Sequence, residues 1–104
     1  MDAVEVWKVG LGLVVRGRRQ QRALSQEAFA HDVGLTRNAI QKLERGGTNL
    51  SFESLLKVAT ALEVGPADLL REVEMLVSDQ SLFEKALLEL EDQRKKGRPL
   101  KVGL

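Results

Sequence analysis

A chain of 104 residues, 43% apolar and 30% charged, has the size of one domain and the composition of a folded globular protein, which excludes two large domains and a long disordered tract. It holds no cysteine, so disulfide frameworks, thiolate metal sites and thiol catalysis are excluded and a reducing compartment fits. The net charge of +1 conceals a segregation. Residues 1–50 carry eight positive and five negative side chains, residues 51–93 three and ten, and residues 94–104 five positive and none negative, a pattern that suits either solvated faces or a polyanion site.

Helical spacing recurs along the chain and sustained alternation between hairpin turns does not, which predicts an all-α fold. A first helix is expected over roughly Val4 to Gln21, with Leu11, Val14 and Val15 inward. Gly10, Gly12 and Gly17 each weaken it by about 1 kcal/mol relative to alanine, which predicts a late or irregular start. The run Val9 to Val15 is too short to span a bilayer and lacks signal-peptide flanks, so neither a membrane segment nor export is expected. Ser25 caps a second helix with Phe29, Ala30 and Val33 buried, and Gly34 ends it. Thr36 caps a third only two residues later, with Ile40 and Leu43 inward, before Gly46-Gly47 stops it.

Ser51 caps a fourth helix whose Phe52, Leu55, Leu56, Val58, Ala59 and Leu62 follow the helical period. Gly65-Pro66 starts a fifth with Leu69, Leu70, Val73 and Leu76 apolar. Ser81-Leu82-Phe83-Glu84 has the form of a capping box and opens a sixth amphipathic helix. Beyond Gln93 the run Arg94-Lys95-Lys96-Gly97-Arg98-Pro99 has no apolar period and is expected to be mobile.

The stretch Leu24-Ser25-Gln26-Glu27-Ala28-Phe29-Ala30, then Val33-Gly34-Leu35-Thr36, then Ile40 to Gly46 resembles the Cro and phage-repressor helix-turn-helix family, also called the xenobiotic-response-element family. The likeness extends back to Leu11-Gly12 and Arg19 and forward through Asn49, Leu55-Leu56-Lys57-Val58-Ala59 and Asp68-Leu69-Leu70, about residues 9 to 70. It implies a five-helix lambda-repressor-like domain, to which the sixth helix is an addition. The implied organisation is an N-terminal extension over 1–8, the DNA-binding domain over 9–77, a dimerisation helix over 78–93 and a basic mobile tail over 94–104.

The resemblance also implies roles. Gln26 matches a glutamine that meets a DNA phosphate with the backbone N–H groups around it. Arg37, Asn38, Gln41 and Lys42 match the outward face of a reading helix in the major groove, where arginine suits guanine and asparagine or glutamine suits adenine. Thr36 contributes less if its hydroxyl is used in capping. Arg45, Thr48, Asn49 and Ser51 match a loop that touches phosphates, and Lys42 and Arg45 could serve phosphate alone. Arg19 and Glu44 match a partly buried structural ion pair and are kept off the DNA list. The lone His31 has no second metal ligand at suitable spacing, so a surface position is expected and no metal site.

Several residues depart from the family pattern. Leu50 stands where proline is common and Ala23 where glycine is common, so the loop and the end of the first helix are expected to differ in shape. Arg18 replaces an apolar residue, while Leu13 and Val14 replace polar ones. This predicts a widened apolar face that receives the sixth helix or Val4, Val6 and Trp7, within the chain or across a dimer. Leu82, Phe83, Ala86, Leu87 and Leu90 form the apolar face of the sixth helix, which either joins two copies or caps its own core.

The leading reading is a transcriptional regulator, cytoplasmic and nucleoid-associated in a bacterium or phage system, that binds double-stranded DNA as a homodimer on two-fold related half-sites. A protein-binding module such as an antitoxin or adaptor, gripping a partner through the sixth helix, is the alternative. An enzyme is the weakest class, because no carboxylate pair, catalytic cysteine or phosphate loop stands in a plausible context and no catalytic residue or cofactor is expected.

Overall fold

The computed structural model describes the backbone of residues 1–102 and the side chains of residues 1–92. Six helices make up the described residues: α1 (Ala3–Gln21), α2 (Gln26–Val33), α3 (Arg37–Glu44), α4 (Phe52–Ala61), α5 (Pro66–Ser78) and α6 (Gln80–Val102).

The start of α1 is neither late nor irregular. The Asp2 carboxylate accepts from the Glu5 backbone N–H at 2.9 Å, and the Glu5 carboxylate accepts in return from Asp2 N–H, a reciprocal cap. The Glu5 N–H also holds the Asp2 carboxyl below its ordinary range. Residues expected as an N-terminal extension are therefore the first turns of α1 itself. Val4, Val6 and Trp7 share one helix with Leu13 and Val14, so they cannot fold back onto them, and Val4 and Trp7 stay exposed.

The glycine at position 12 has a packing role that its helix propensity conceals. A Cβ built there would lie 2.9 Å from the Glu44 carbonyl oxygen and closer still to that of Leu43. Gly12 thus lets α1 lie directly on the backbone at the end of α3. At its other end α1 closes with Ala23 in the left-handed region, φ +55°, while Leu24 N–H returns to Arg19 O at 3.2 Å. Ala23 takes the positive-φ position that a glycine would occupy without strain.

The core comprises Val15 of α1, Phe29 of α2, Ile40 and Leu43 of α3, Val58 of α4 and Leu69 and Val73 of α5, all fully buried. Leu50, where proline was expected, is half-buried and packs against this cluster. Three positions expected inward are not. Phe52 is 74% exposed, and Leu56 and Leu70 are 37% and 38% exposed. Arg18 reaches from α1 to Glu72 of α5 at 2.5 Å.

A single residue, Asp79, separates α5 from α6. Its carboxylate accepts from Leu82 N–H at 3.0 Å and its carbonyl from Phe83 N–H at 2.9 Å, so Asp79 caps α6, two residues before the expected cap at Ser81. The sharp turn folds α6 back against α5 and α1. Phe83 is buried in its own chain at 8% exposure, which removes it from the face available to a second copy. Leu13, Val14, Met75, Leu76, Leu82 and Ala86 line the cleft of about 430 Å³ where α1, α5 and α6 meet. The face widened by Leu13 and Val14 is thus met by α6 within the chain. Beyond Gln93 the backbone is helical to Val102; the side chains of that basic stretch, expected to be mobile, lie outside the described residues.

No helix among the described residues is long and apolar enough to cross a membrane.

Candidate nucleic-acid interface

Only Gly34, Leu35 and Thr36 separate α2 from α3. Ser25 Oγ accepts from Ala28 N–H at 3.0 Å to open α2. Gly34, at φ +83°, closes it, with Gly34 N–H and Leu35 N–H both bonded to Ala30 O at 2.9 Å. Thr36 Oγ1 then accepts from Ala39 N–H at 3.1 Å to open α3. Two capped helices joined by a glycine in the left-handed conformation form a rigid pair, and Phe29, Val33, Ile40 and Leu43 fix its inner face to the core.

The outer face of α3 is free of internal commitments. Arg37, Asn38 and Lys42 are exposed, as is Arg45 just after the helix, and Gln41 is half-buried. Among the described residues none of these five makes a side-chain hydrogen bond or ion pair. The contrast with other cations is informative. Arg22 pairs with Glu63 at 2.5 Å, Lys57 with Glu53 at 3.3 Å and Arg71 with Asp68 at 2.9 Å. Of the described cations, Lys8 and Lys85 are likewise unpaired, but only around α3 do unpaired cations stand together, with Arg37, Lys42 and Arg45 beside the free amides of Asn38 and Gln41. Donors spaced along one face of an exposed, rigid helix can reach the base edges of a major groove, and an unneutralised cation beside them can hold phosphate.

Behind this face stands the ion pair. Arg19 Nε donates to Glu44 Oε2 at 2.7 Å and Nη2 to Glu44 Oε1 at 3.0 Å, a two-pronged contact with Arg19 8% and Glu44 3% exposed. Arg19 Nη1 also donates to Leu24 O at 2.7 Å, which ties the loop before α2 to the end of α3. Gln26, at the first position of α2, is half-buried and donates from Nε2 to Glu44 Oε1 at 3.2 Å. No local signal in the sequence announces this contact, because its partners lie 18 residues apart.

One expected contact needs revision. The Thr48 hydroxyl is buried and has no hydrogen-bond partner; the residue lines an apolar cleft with Trp7, Leu11, Leu50 and Leu55, so it faces inward and is not offered to a phosphate. Leu50 draws this part of the loop toward the core, leaving Asn49 exposed beside it. Ser51 Oγ caps α4, accepting from Ser54 N–H at 3.0 Å, and Thr36 Oγ1 caps α3; as acceptors in these caps both hydroxyls keep an O–H to donate. His31 is exposed on α2.

Residues 15–69 match the model of the helix-turn-helix family HTH_3. The chain belongs to that family. It is 40% identical over 53 residues to the control protein C.BamHI of Bacillus amyloliquefaciens, a span covering 51% of this chain and 65% of that protein. It is 32% identical over 66 residues to an uncharacterized HTH-type transcriptional regulator, y4aM, of Sinorhizobium fredii, covering 64% of this chain and 44% of that one. The chain therefore spans less than two thirds of the length of these relatives. Among solved structures it is similar to the restriction-modification controller protein C.AhdI of Aeromonas hydrophila, with 41% identity, a TM-score of 0.57 and coverage of 59% of this chain and 92% of that one. It is also similar to the DNA-binding domain of the P22 C2 repressor, with 35% identity, a TM-score of 0.56 and coverage of 58% and 79%. The fold is that of a lambda-repressor-like helix-turn-helix domain, carried here with α6 appended.

Proposed function

We propose that this chain is a sequence-specific DNA-binding transcriptional regulator that acts as a homodimer on two-fold related half-sites. The observation that carries this reading is the outward face of α3, where Arg37, Asn38, Gln41 and Lys42 stand without internal partners on a helix capped at its start and braced from behind. In this reading α3 lies in the major groove, Arg37, Asn38 and Gln41 discriminate bases, and Lys42 and Arg45 hold phosphate. Gln26 and the unpaired N–H groups at the start of α2 clamp the backbone, and Asn49 touches it from the loop. The kinship with a phage repressor's DNA-binding domain and with controller proteins supports regulation rather than catalysis. A chain that reads double-stranded DNA in this way works where bacterial or phage DNA is, in the cytoplasm and on the nucleoid.

Dimerisation is assigned to α6. Leu82 is 49% exposed, and Ala86, Leu87 and Leu90 are half-buried on the same side of the helix. Phe83 meanwhile fastens the helix to its own chain. An apolar strip on a helix already anchored to the domain suits a second copy, since the anchor holds the two reading helices at a fixed separation.

Selection from a random-sequence duplex pool at stated salt concentration tests the proposal. A two-fold symmetric motif, with half-site centres about one helical turn apart or a multiple of it, is the expected result. No enrichment at any salt would overturn it in favour of a protein partner on α6.

A further inference from the structure

Glu44 does more than neutralise Arg19. Its Oε1 receives two donors, Arg19 Nη2 at 3.0 Å and Gln26 Nε2 at 3.2 Å, while Oε2 takes Arg19 Nε at 2.7 Å. A carboxylate only accepts, so the Gln26 amide has one stable orientation against it, with Nε2 toward Glu44 and Oε1 away. One Nε2–H is consumed by this contact and the second remains. Gln26 is also the first residue of α2, where its own backbone N–H and that of Glu27 have no partner within the helix, Ala28 N–H being satisfied by Ser25.

We propose that Glu44 is a positioning residue for DNA binding: held by Arg19, it fixes the Gln26 amide so that the remaining Nε2–H stands with the free N–H groups of α2 as a preformed cradle for one DNA phosphate. This rests on the reading of Gln26 as a phosphate clamp. The chemistry follows from the donor inventory. A phosphate oxygen accepts and cannot pair with Oε1, so an amide free to turn over would present the wrong atom in part of its population. A glutamine free about its three side-chain torsions must also be ordered at the moment of binding. Glu44 removes both losses beforehand. Because Glu44 sits at the C-terminal end of α3 and Gln26 at the N-terminal end of α2, the same bond locks the clamp in register with the reading helix.

The contact is to phosphate, so its loss weakens binding to every sequence alike. The amide is neutral and displaces no counterion, so the dependence of affinity on salt keeps its slope. The test measures binding to a mixed-sequence duplex over a series of salt concentrations for wild type, Glu44→Gln, Gln26→Met and the double variant. Folding of each is checked by circular dichroism and thermal unfolding. Glu44→Gln retains a carbonyl to accept from Arg19 but leaves either amide free to donate. Gln26→Met is expected to bind on the order of three- to tenfold more weakly with unchanged salt slope; Glu44→Gln, which leaves the Arg19 charge uncompensated, is compared at high salt, where that charge is screened, and is expected to bind more weakly there, with the double variant no weaker than the worse single one.

Additive losses, or Glu44→Gln binding as wild type does at high salt, would overturn the proposal. If Glu44→Gln fails to fold, Gln26→Met and the wild-type protein carry the test. In wild type the two Gln26 side-chain amide protons are expected to resonate far apart, one shifted downfield by the carboxylate, and both to exchange slowly with water. Shifts like those of a free glutamine would refute the contact. Wild type that binds no duplex at low salt would sink the DNA reading itself, whatever those resonances show.

Discussion

Replacing Gly12 by alanine probes the contact that sets α3 against α1. A Cβ at this position falls 2.9 Å from the Glu44 carbonyl oxygen and nearer to that of Leu43, so one backbone must retreat by several tenths of an ångström. Neither obstructing atom belongs to a side chain that can turn aside. Overpacking of this kind costs about 1–3 kcal/mol, the immobile backbone placing Gly12 toward the upper end. The gain in helix propensity returns about 1 kcal/mol. The net expectation is a loss of about 1–2 kcal/mol. Gly17 supplies the control within the same helix, since nothing lies within 4 Å of its added Cβ, and Gly17→Ala should gain about 1 kcal/mol. Thermal unfolding separates the two, at about 4–8 °C per kcal/mol for a domain of this size. Equal stabilisation by both substitutions would refute the close approach of α1 to α3.

Other expectations follow from the same geometry. Ala23→Gly should stabilise by up to about 1 kcal/mol in urea unfolding, because φ +55° strains a residue with a Cβ; Glu63→Gly, at φ +56°, should gain less, as it also removes the ion pair to Arg22. Phe83→Ala should cost about 3 kcal/mol through lost burial, whereas Leu82→Glu, at a half-exposed position of the proposed dimer strip, should cost the monomer less and shift sedimentation toward the monomer. Lowering the pH through the depressed range of the Asp2 carboxyl should fray the first turn of α1: the folded group releases its proton more readily than the unfolded one, so its contribution is present at neutral pH and lost in acid. Protection of the first-turn amides relative to their intrinsic exchange rate at each pH should show this, and Asp2→Asn should make that protection less sensitive to acid.

The two functional helices were legible because their signals are local. Ser25 and Thr36 supply a hydroxyl to a backbone N–H three residues on, and Gly34, between the two helices, has the positive φ that glycine favours; each bond is made by near neighbours in the chain. What spans the fold was less visible. Gly12 reads as a helix defect until α3 lies against it. Helical period alone cannot show that the core ends before the first turn of α4, which leaves Phe52 exposed. Asp79 and Ser81 are both short polar residues able to cap, and the choice falls to Asp79 in a helix that buries Phe83. The ion pair between Arg19 and Glu44 came from the family pattern, whereas the third member, Gln26, emerges only once α2 and α3 are placed side by side. Thr48 failed for a related reason: a loop hydroxyl suggests an outward contact, yet Leu50 anchors the loop and turns it inward.

The central claim is that the outer face of α3 reads bases. Its most direct test compares wild type with the Asn38→Ala, Gln41→Ala double variant on a selected high-affinity duplex and on a mixed-sequence duplex of equal length at one salt concentration. Two amide contacts to bases, at about 1–3 kcal/mol each, predict that affinity for the selected site falls at least tenfold while mixed-sequence binding scarcely changes. Equal loss on both duplexes, or no loss on either, would contradict the account.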